Sequence, residues 1–415
     1  MTEKPADQDH ADPSAPTALM VEPAFVLLFS IHLKGGFKGF GSLPTGITPL
    51  PPEQSNAYIT QLSEFETRLL GKTFCESERL ARTPLGRVAL NSLPKHAPAH
   101  ADVYLLTHQS GVALWEVWLP APSQPFDTVR WIGWLDPEND DGLVARLWHV
   151  LGPVNQQVAD KPAWSGLYFP LTLLRAQEVP LDTLVERHGT DLIHLLFLDH
   201  SSRPFKPGLV AEELGRDYCS REGGMTLLAR RSGLDVHGRE DAGEERTSAT
   251  ALPPRSALPF LITIELLLIE RAVLAHLYQR LSRHMPGSVD ELLTLQQEVL
   301  DALEEYYGAI TDATRFSDAV TTDGERLLGL GDLYDAVHDR LDAVSFAITT
   351  RYQKRMTLLQ FWLTVVFGAT EIGFIASSIA TWYYQQALGT VLAWTLGASV
   401  VTGLVLVLLL RGKVE

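Results

Sequence analysis

Two apolar runs near the carboxyl end, Leu358 to Tyr383 and Leu388 to Leu410, carry the strongest hydrophobic pattern in the chain. Each exceeds the roughly 20 residues that a helix needs to cross about 30 Å of hydrocarbon, so the pattern predicts a pair of membrane-spanning helices. Upstream of them, Leu327, Leu330, Tyr334, Val337, Leu341, Val344 and Ile348 recur at spacings of three and four, the seam of a packed helix. No proline interrupts Asp332 to Tyr383, which predicts one long helix running from that seam into the first apolar run.

The amino-terminal half alternates on a shorter scale. Ala24 to Leu33, Val103 to Leu106, Val112 to Leu119, Val129 to Leu135, Gly166 to Leu174, Leu192 to Asp199 and Met225 to Arg230 read as strands, short β-branched and aromatic runs between turn residues. Asn56 to Ala81, Leu143 to Leu151 and Leu181 to His188 read as helices by their 3.6-residue spacing. Together they predict an α/β domain over 23–237. The segment 1–22 reads as a disordered tail with no signal-peptide pattern, and 238–256 as a polar linker.

A helical section is expected over 257–323. Leu258 to His284 is apolar enough to suggest a third crossing, but it carries Glu265, Glu270, Arg271 and His276. Each central charge costs about 2.5 to 3.5 kcal/mol against roughly 0.3 to 0.6 gained per Leu or Ile, so the segment is expected to pack in water. Ser288-Val-Asp-Glu291 is a capping box that starts a further helix, expected to reach Ile310. The remaining parts are 324–383 as stalk and first crossing, 384–387 as outer loop, 388–410 as second crossing and 411–415 as tail.

Charge sets the orientation. Arg351, Lys354 and Arg355 precede the first run, Arg411 and Lys413 follow the second, and the connector has no cation, so both termini are expected in the cytoplasm of a multi-pass inner (plasma) membrane protein. The formal net charge is -16, with the excess of acids almost entirely before residue 345, which argues against a nucleic-acid surface. Two cysteines, Cys75 and Cys219, offer neither a disulfide framework nor a zinc site.

Candidate chemistry concentrates in the first crossing. Thr357, Thr364, Glu371 and Ser378 recur every seven residues along one stripe, with Thr381 and Gln385 near its outer end. An ionisable group at mid-membrane faces a partner or water, so Glu371 is either interhelical glue or a pore-lining carboxylate. Gly368, Ala369, Gly373, Ala376 and Ser377 permit close helix contact in both cases. Metal-ligating candidates are Glu371, Asp335 and Asp339, and the stalk acids Asp332, Asp335, Asp339 and Asp342 are either sensors or a solvated face. Elsewhere, the glycine-rich run Gly35 to Gly41 lacks the Gly-Lys-Ser/Thr ending of a phosphate loop. His194 and His200 have no catalytic partner motif, so no enzyme and no bound cofactor is expected.

This order of parts resembles the CorA-type divalent-cation transporter superfamily, which also includes zinc transporters of the ZntB kind. The resemblance covers the whole chain in architecture and is specific over Leu327 to Lys413. It implies a homo-oligomer, a pentamer in that family, whose first crossings line a pore and carry divalent metal cations such as magnesium as substrate. Family members end that crossing in Gly-Met-Asn, whereas this chain reads Ala380-Thr381-Trp382-Tyr383-Tyr384-Gln385. The departure separates the assembly, which does not need that motif, from magnesium selectivity, which does. Divergent members without it resemble membrane effectors of prokaryotic defence systems. The alternative reading is therefore a hairpin that opens the bilayer when the α/β domain binds a small-molecule ligand such as a nucleotide messenger, with Trp115, Trp118, Trp131, Trp134, Trp148 and Trp164 as binding or core residues.

Overall fold

The computed structural model describes residues 19–34, 40, 44–70, 75, 80–90, 96–160, 167–176, 178–201, 203–239, 257–283, 291, 293–294, 297, 315–384 and 388–411. Trp164 and most of the 1–22 tail, of the glycine-rich run, of the 238–256 linker and of the Ser288 capping box lie outside these residues. The chain divides into two units: 1–280 with 297–337, and 281–296 with 338–415.

The first unit is built on one sheet with strand order β2-β3-β4-β1-β6-β8-β7, where β5 (Gln124–Pro125) adds to β1 (Met20–His32). The other strands are β2 (Leu80–Ala89), β3 (His100–His108), β4 (Val112–Pro120), β6 (Tyr168–Ala176), β7 (Gly224–Leu228) and β8 (Gly233–His237). All pairings are antiparallel except β6 with β8. β1 lies at the centre, and its run Phe25 to Ile31 is buried without a break, as a strand covered on both faces must be. It begins at Met20 rather than after Glu22, because Val21 pairs with Gln124 and Ala176.

One face of the sheet is apolar. Phe25, Leu27, Phe29, Trp115, Val117 and Leu105 bury themselves under α2 (Thr128–Leu135), α3 (Leu143–Val158) and α4 (Leu181–Phe197). Phe25 meets Trp131 and Trp134 edge to face at 6.3 and 6.2 Å, geometry that aromatic quadrupoles favour. Trp115 donates its indole N–H to Asn155 at 3.1 Å. The tryptophans described on this face are core.

Two segments expected as strands are helices. Val129 to Leu135 lies within α2, because Asp127 caps it by accepting the Arg130 N–H at 3.1 Å and because Trp131, Ile132, Trp134 and Leu135 fall on one side of a turn while Val129 stays exposed. Leu192 to Asp199 belongs mainly to α4, which continues from Leu181 instead of stopping at His188; Leu192, Ile193, Leu195 and Leu196 make one buried helical face. That helix ends at Leu198, whose left-handed backbone (φ 52) turns its N–H back to the carbonyls of His194 and Leu195. The helix over Asn56 to Ala81 is α1 (Pro52–Leu70), ending before β2. Four of the described elements have no counterpart in the sequence pattern: β2, the two-residue β5, α5 (Pro207–Leu214) and β8.

The second face carries α1, α6 (Leu258–Arg283) and α7 (Arg315–Leu328). α6 is buried along nearly its whole length, as its charges foretold. It approaches the sheet closely at Gly233, where a Cβ would fall 2.6 Å from Leu171 and 2.7 Å from the Phe260 ring.

Gly329, at φ +66, ends α7 and separates it from α8 (Leu330–Tyr384), a continuous helix of 55 residues. Val337, Leu341, Val344 and Ile348 of the expected seam are buried, while Tyr334 is exposed. Residues Leu330–Trp382 form a helix long and apolar enough to cross a membrane. α9 (Leu388–Arg411) follows, with a shorter described apolar stretch over Gly389–Val405.

Candidate functional site

The polar stripe of α8 is positioned by the way α8 meets α9. The two helices touch through small residues: a Cβ on Gly373 would fall 2.1 Å from the Ser399 hydroxyl oxygen and 3.5 Å from the Thr395 carbonyl oxygen, and a Cβ on Gly403 would sit 3.8 Å from Ala369. Val365, Gly373 and Ala380 are buried on that contact face. At 3.6 residues per turn, Glu371 lies about 160° around the axis from Gly373. It is exposed, as are Thr357, Thr364 and Ser378 at seven-residue intervals, with Thr381 about a quarter turn away.

Glu371 is therefore not glue between the two helices of one chain. No described residue reaches its carboxylate with a hydrogen bond or ion pair. Each hydroxyl on the stripe is spent on its own helix. Thr357 donates to the Gln353 carbonyl at 2.8 Å, Thr364 to Gln360 at 2.8 Å, Ser378 to Phe374 at 2.9 Å and Thr381 to Ser377 at 2.7 Å. With their protons turned inward, these oxygens present lone pairs outward, so the stripe offers acceptors and one carboxylate. Such a surface attracts cations and repels anions. Gln385 lies outside the described residues. Asp332, Asp335, Asp339 and Asp342 are all exposed, Asp342 lying 3.7 Å from His338. Among the described residues no three His, Cys, Asp or Glu are grouped to hold a metal, so Glu371, Asp335 and Asp339 form no site within one chain.

The sequence reading missed a buried charged cluster in the first unit. Arg82 on β2 reaches Glu265 of α6 through both terminal nitrogens, at 3.0 and 2.6 Å, Glu66 of α1 at 3.2 Å, and Glu116 of β4. Glu116 is fully buried and also accepts from the Tyr58 hydroxyl and, at 2.6 Å, from the Trp118 indole. Burial pushes the Glu265 carboxyl up, with Arg82 pulling against it, and burial raises Glu66 in the same way. Burial alone would lower the Arg82 pKa, but the Glu265 carboxylate and Tyr58 outweigh it and hold the guanidinium charged. One cation thus binds α1, α6 and two strands together. Beside it, Arg87 grips Asp102 in a bidentate pair at 2.6 and 2.9 Å.

This cluster was hidden because the pattern predicts no strand over β2, Leu80–Ala89, whose alternation is broken by Arg82, Pro84, Gly86 and Arg87. Its Pro84 and the bulge between Pro84 and Gly86 fit an edge strand, and Gly86 is required there, since a Cβ would meet the Thr48 carbonyl oxygen at 2.3 Å. The available signal was the pair of acids, Asp102 and Glu116, in the adjacent apolar strands. His194 and His200 close a helix end, His194 pairing with Asp199 at 3.2 Å and His200 with Asp136 at 3.0 Å. Compared with protein-family models, curated proteins and solved structures, the chain matches none.

Proposed function

We propose that this chain is the subunit of a homo-oligomeric membrane channel or transporter for divalent cations, with α8 lining the path. The observation that carries the reading is the orientation of the Thr357–Thr364–Glu371–Ser378 stripe, opposite the face that packs on α9. A lone mid-membrane carboxylate facing lipid costs about 2.5 to 3.5 kcal/mol even on the lowest scales, which favours an arrangement that hides it from lipid. α9 does not hide it. Several copies of α8 around a wet axis would, and two helices cannot enclose a path alone. The resemblance to CorA-type transporters makes five copies the expected number, with both termini cytoplasmic by the distribution of Lys and Arg. Magnesium is not singled out, since Gly-Met-Asn is absent.

The test is flux through the purified full chain in liposomes, with magnesium, zinc and cobalt offered in turn. Divalent entry is expected, falling about tenfold or more in Glu371→Gln as the one charge on the stripe is lost. No divalent movement under any gradient overturns the proposal, as does a stable monomer in native mass measurements. Equal passage of anions and small dyes overturns cation transport in favour of a hairpin that breaches the bilayer on a ligand signal.

A further inference from the structure

The face of α8 that meets α9 continues past the contact, and its character changes there. Val365, Ala369 and Gly373 lie on it at intervals of four, the spacing that keeps residues on one side of a helix. Toward the stalk, steps of three and four along the same face reach Trp362, Leu358, Arg355 with Lys354, and Arg351. Val365 is 5% exposed, whereas Trp362 and Leu358 are 51% and 48% exposed, and all three cations are exposed. Over about 21 Å of helix, one face passes from buried apolar, through an exposed indole and leucine, to exposed positive charge.

Neither helix answers this charge. The nearest acids along α8 are Asp342, about 18 Å before Lys354, and Glu371, about 24 Å after Arg355. Both distances exceed the roughly 8 Å over which physiological salt screens exposed charges. α9 has no acid at all. Lys354 and Arg355 take part in no hydrogen bond or ion pair with a described residue, whereas Arg351 has an interaction of its own, so the argument rests on the first two. α9 runs antiparallel to α8, with Gly403 beside Ala369, and a further eight residues bring Arg411 toward this same end.

We propose that this stretch of α8 binds anionic phospholipid, with Lys354 and Arg355 holding the headgroup phosphate and the acyl chains lying along Leu358 and Trp362. The order of groups on the face matches the order within a lipid. An indole sits at the boundary between headgroups and hydrocarbon, and Lys and Arg rest their apolar stems on such a surface while their charged ends meet the phosphates. Each cation beside an anionic surface strengthens attachment about fivefold, while a zwitterionic headgroup brings a cation of its own and gains less. Acids of a second copy would neutralise the same charges but give no role to the exposed Leu358 and Trp362. The inference rests on α8 entering a membrane, as proposed above, and holds whether or not ions pass.

The full chain in mild detergent is offered equal amounts of phosphatidylglycerol and phosphatidylcholine, and the lipid it retains is counted by native mass measurement. Phosphatidylglycerol is expected in about fivefold excess, and Lys354→Gln combined with Arg355→Gln should cut its retention about tenfold while phosphatidylcholine stays unchanged. Arg230→Gln combined with Arg231→Gln removes the same charge from exposed positions in the turn between β7 and β8 and should alter neither lipid. Equal retention of the two lipids by the natural chain overturns the proposal, as does undiminished phosphatidylglycerol in the folded Lys354 and Arg355 variant or an equal loss in the control pair. Displacement of the lipid by millimolar inorganic phosphate assigns the cations to a free anion and overturns it too. A chain that stays in solution without detergent and retains neither lipid refutes the membrane reading and this inference with it, a result distinct from the others.

Discussion

Glu270 gives the first unit a pH dependence that can be worked out from its surroundings. It sits on α6 and is 7% exposed; burial pushes its carboxyl from the ordinary 4.5 up to about 7, and Glu325 of α7, itself raised by burial, adds to the push. A folded-state pKa above the unfolded one means that the folded state holds the proton more tightly. The associated stability is fully present below about pH 4.5 and is lost as pH rises through about 7. At about 1.4 kcal/mol per pKa unit, the loss at pH 8 comes to about 3 kcal/mol. Glu270→Gln cannot ionise, so it should match the natural chain near pH 4 and exceed it at pH 8 by up to about 3 kcal/mol. Urea unfolding of the full chain in mild detergent, followed by the fluorescence of Trp115 and Trp131 buried in this unit, measures both values. The slope with pH should shrink rather than vanish, because burial raises Glu66 and Glu265 in the same direction. A Glu270→Gln variant with the natural chain's full loss between pH 5 and pH 8 would refute the reasoning.

Two further outcomes follow from the packing. Arg82→Met leaves Glu66, Glu116 and Glu265 without their cation, and breaking such a buried network should cost about 3 to 5 kcal/mol in the same urea assay. The deficit should be smaller at pH 5 than at pH 8, since protonated glutamates need no counter-charge. Gly373→Ile puts a branched side chain where a Cβ already lies 2.1 Å from the Ser399 oxygen, so thermal stability in detergent should fall, with Ser399→Gly restoring part of it.

Much of the α/β unit was legible because its central strands are long apolar runs between turn residues, as β1, β3, β4 and β6 are. The errors have a common origin. A short apolar run does not reveal its period, so Val129 to Leu135 and Leu192 to Asp199 could be either strand or buried helix. Asp127 as a cap was the local sign that the first is a helix; for the second it was the absence of proline from Leu181 to Phe197, with Gly189 inside the helix as the feature that hid its continuity. β8 is only five residues long and takes its place through a parallel pairing with β6, some sixty positions earlier, which no local pattern announces. For the candidate site, the seven-residue repeat of Thr357, Thr364, Glu371 and Ser378 was plain, but repetition fixes only that they share a stripe.

The sequence alone determined the long helix, its apolar stretch, the buried seam at Val337, Leu341, Val344 and Ile348, and the packing of α6 within protein, because helix period and the cost of burying charge are local quantities. Only tertiary structure decided that the Glu371 stripe faces away from α9 and that Arg82 gathers Glu66, Glu116 and Glu265. Those are contacts between residues far apart in the chain, made by the direction in which each element presents its side chains, and that direction is fixed by packing.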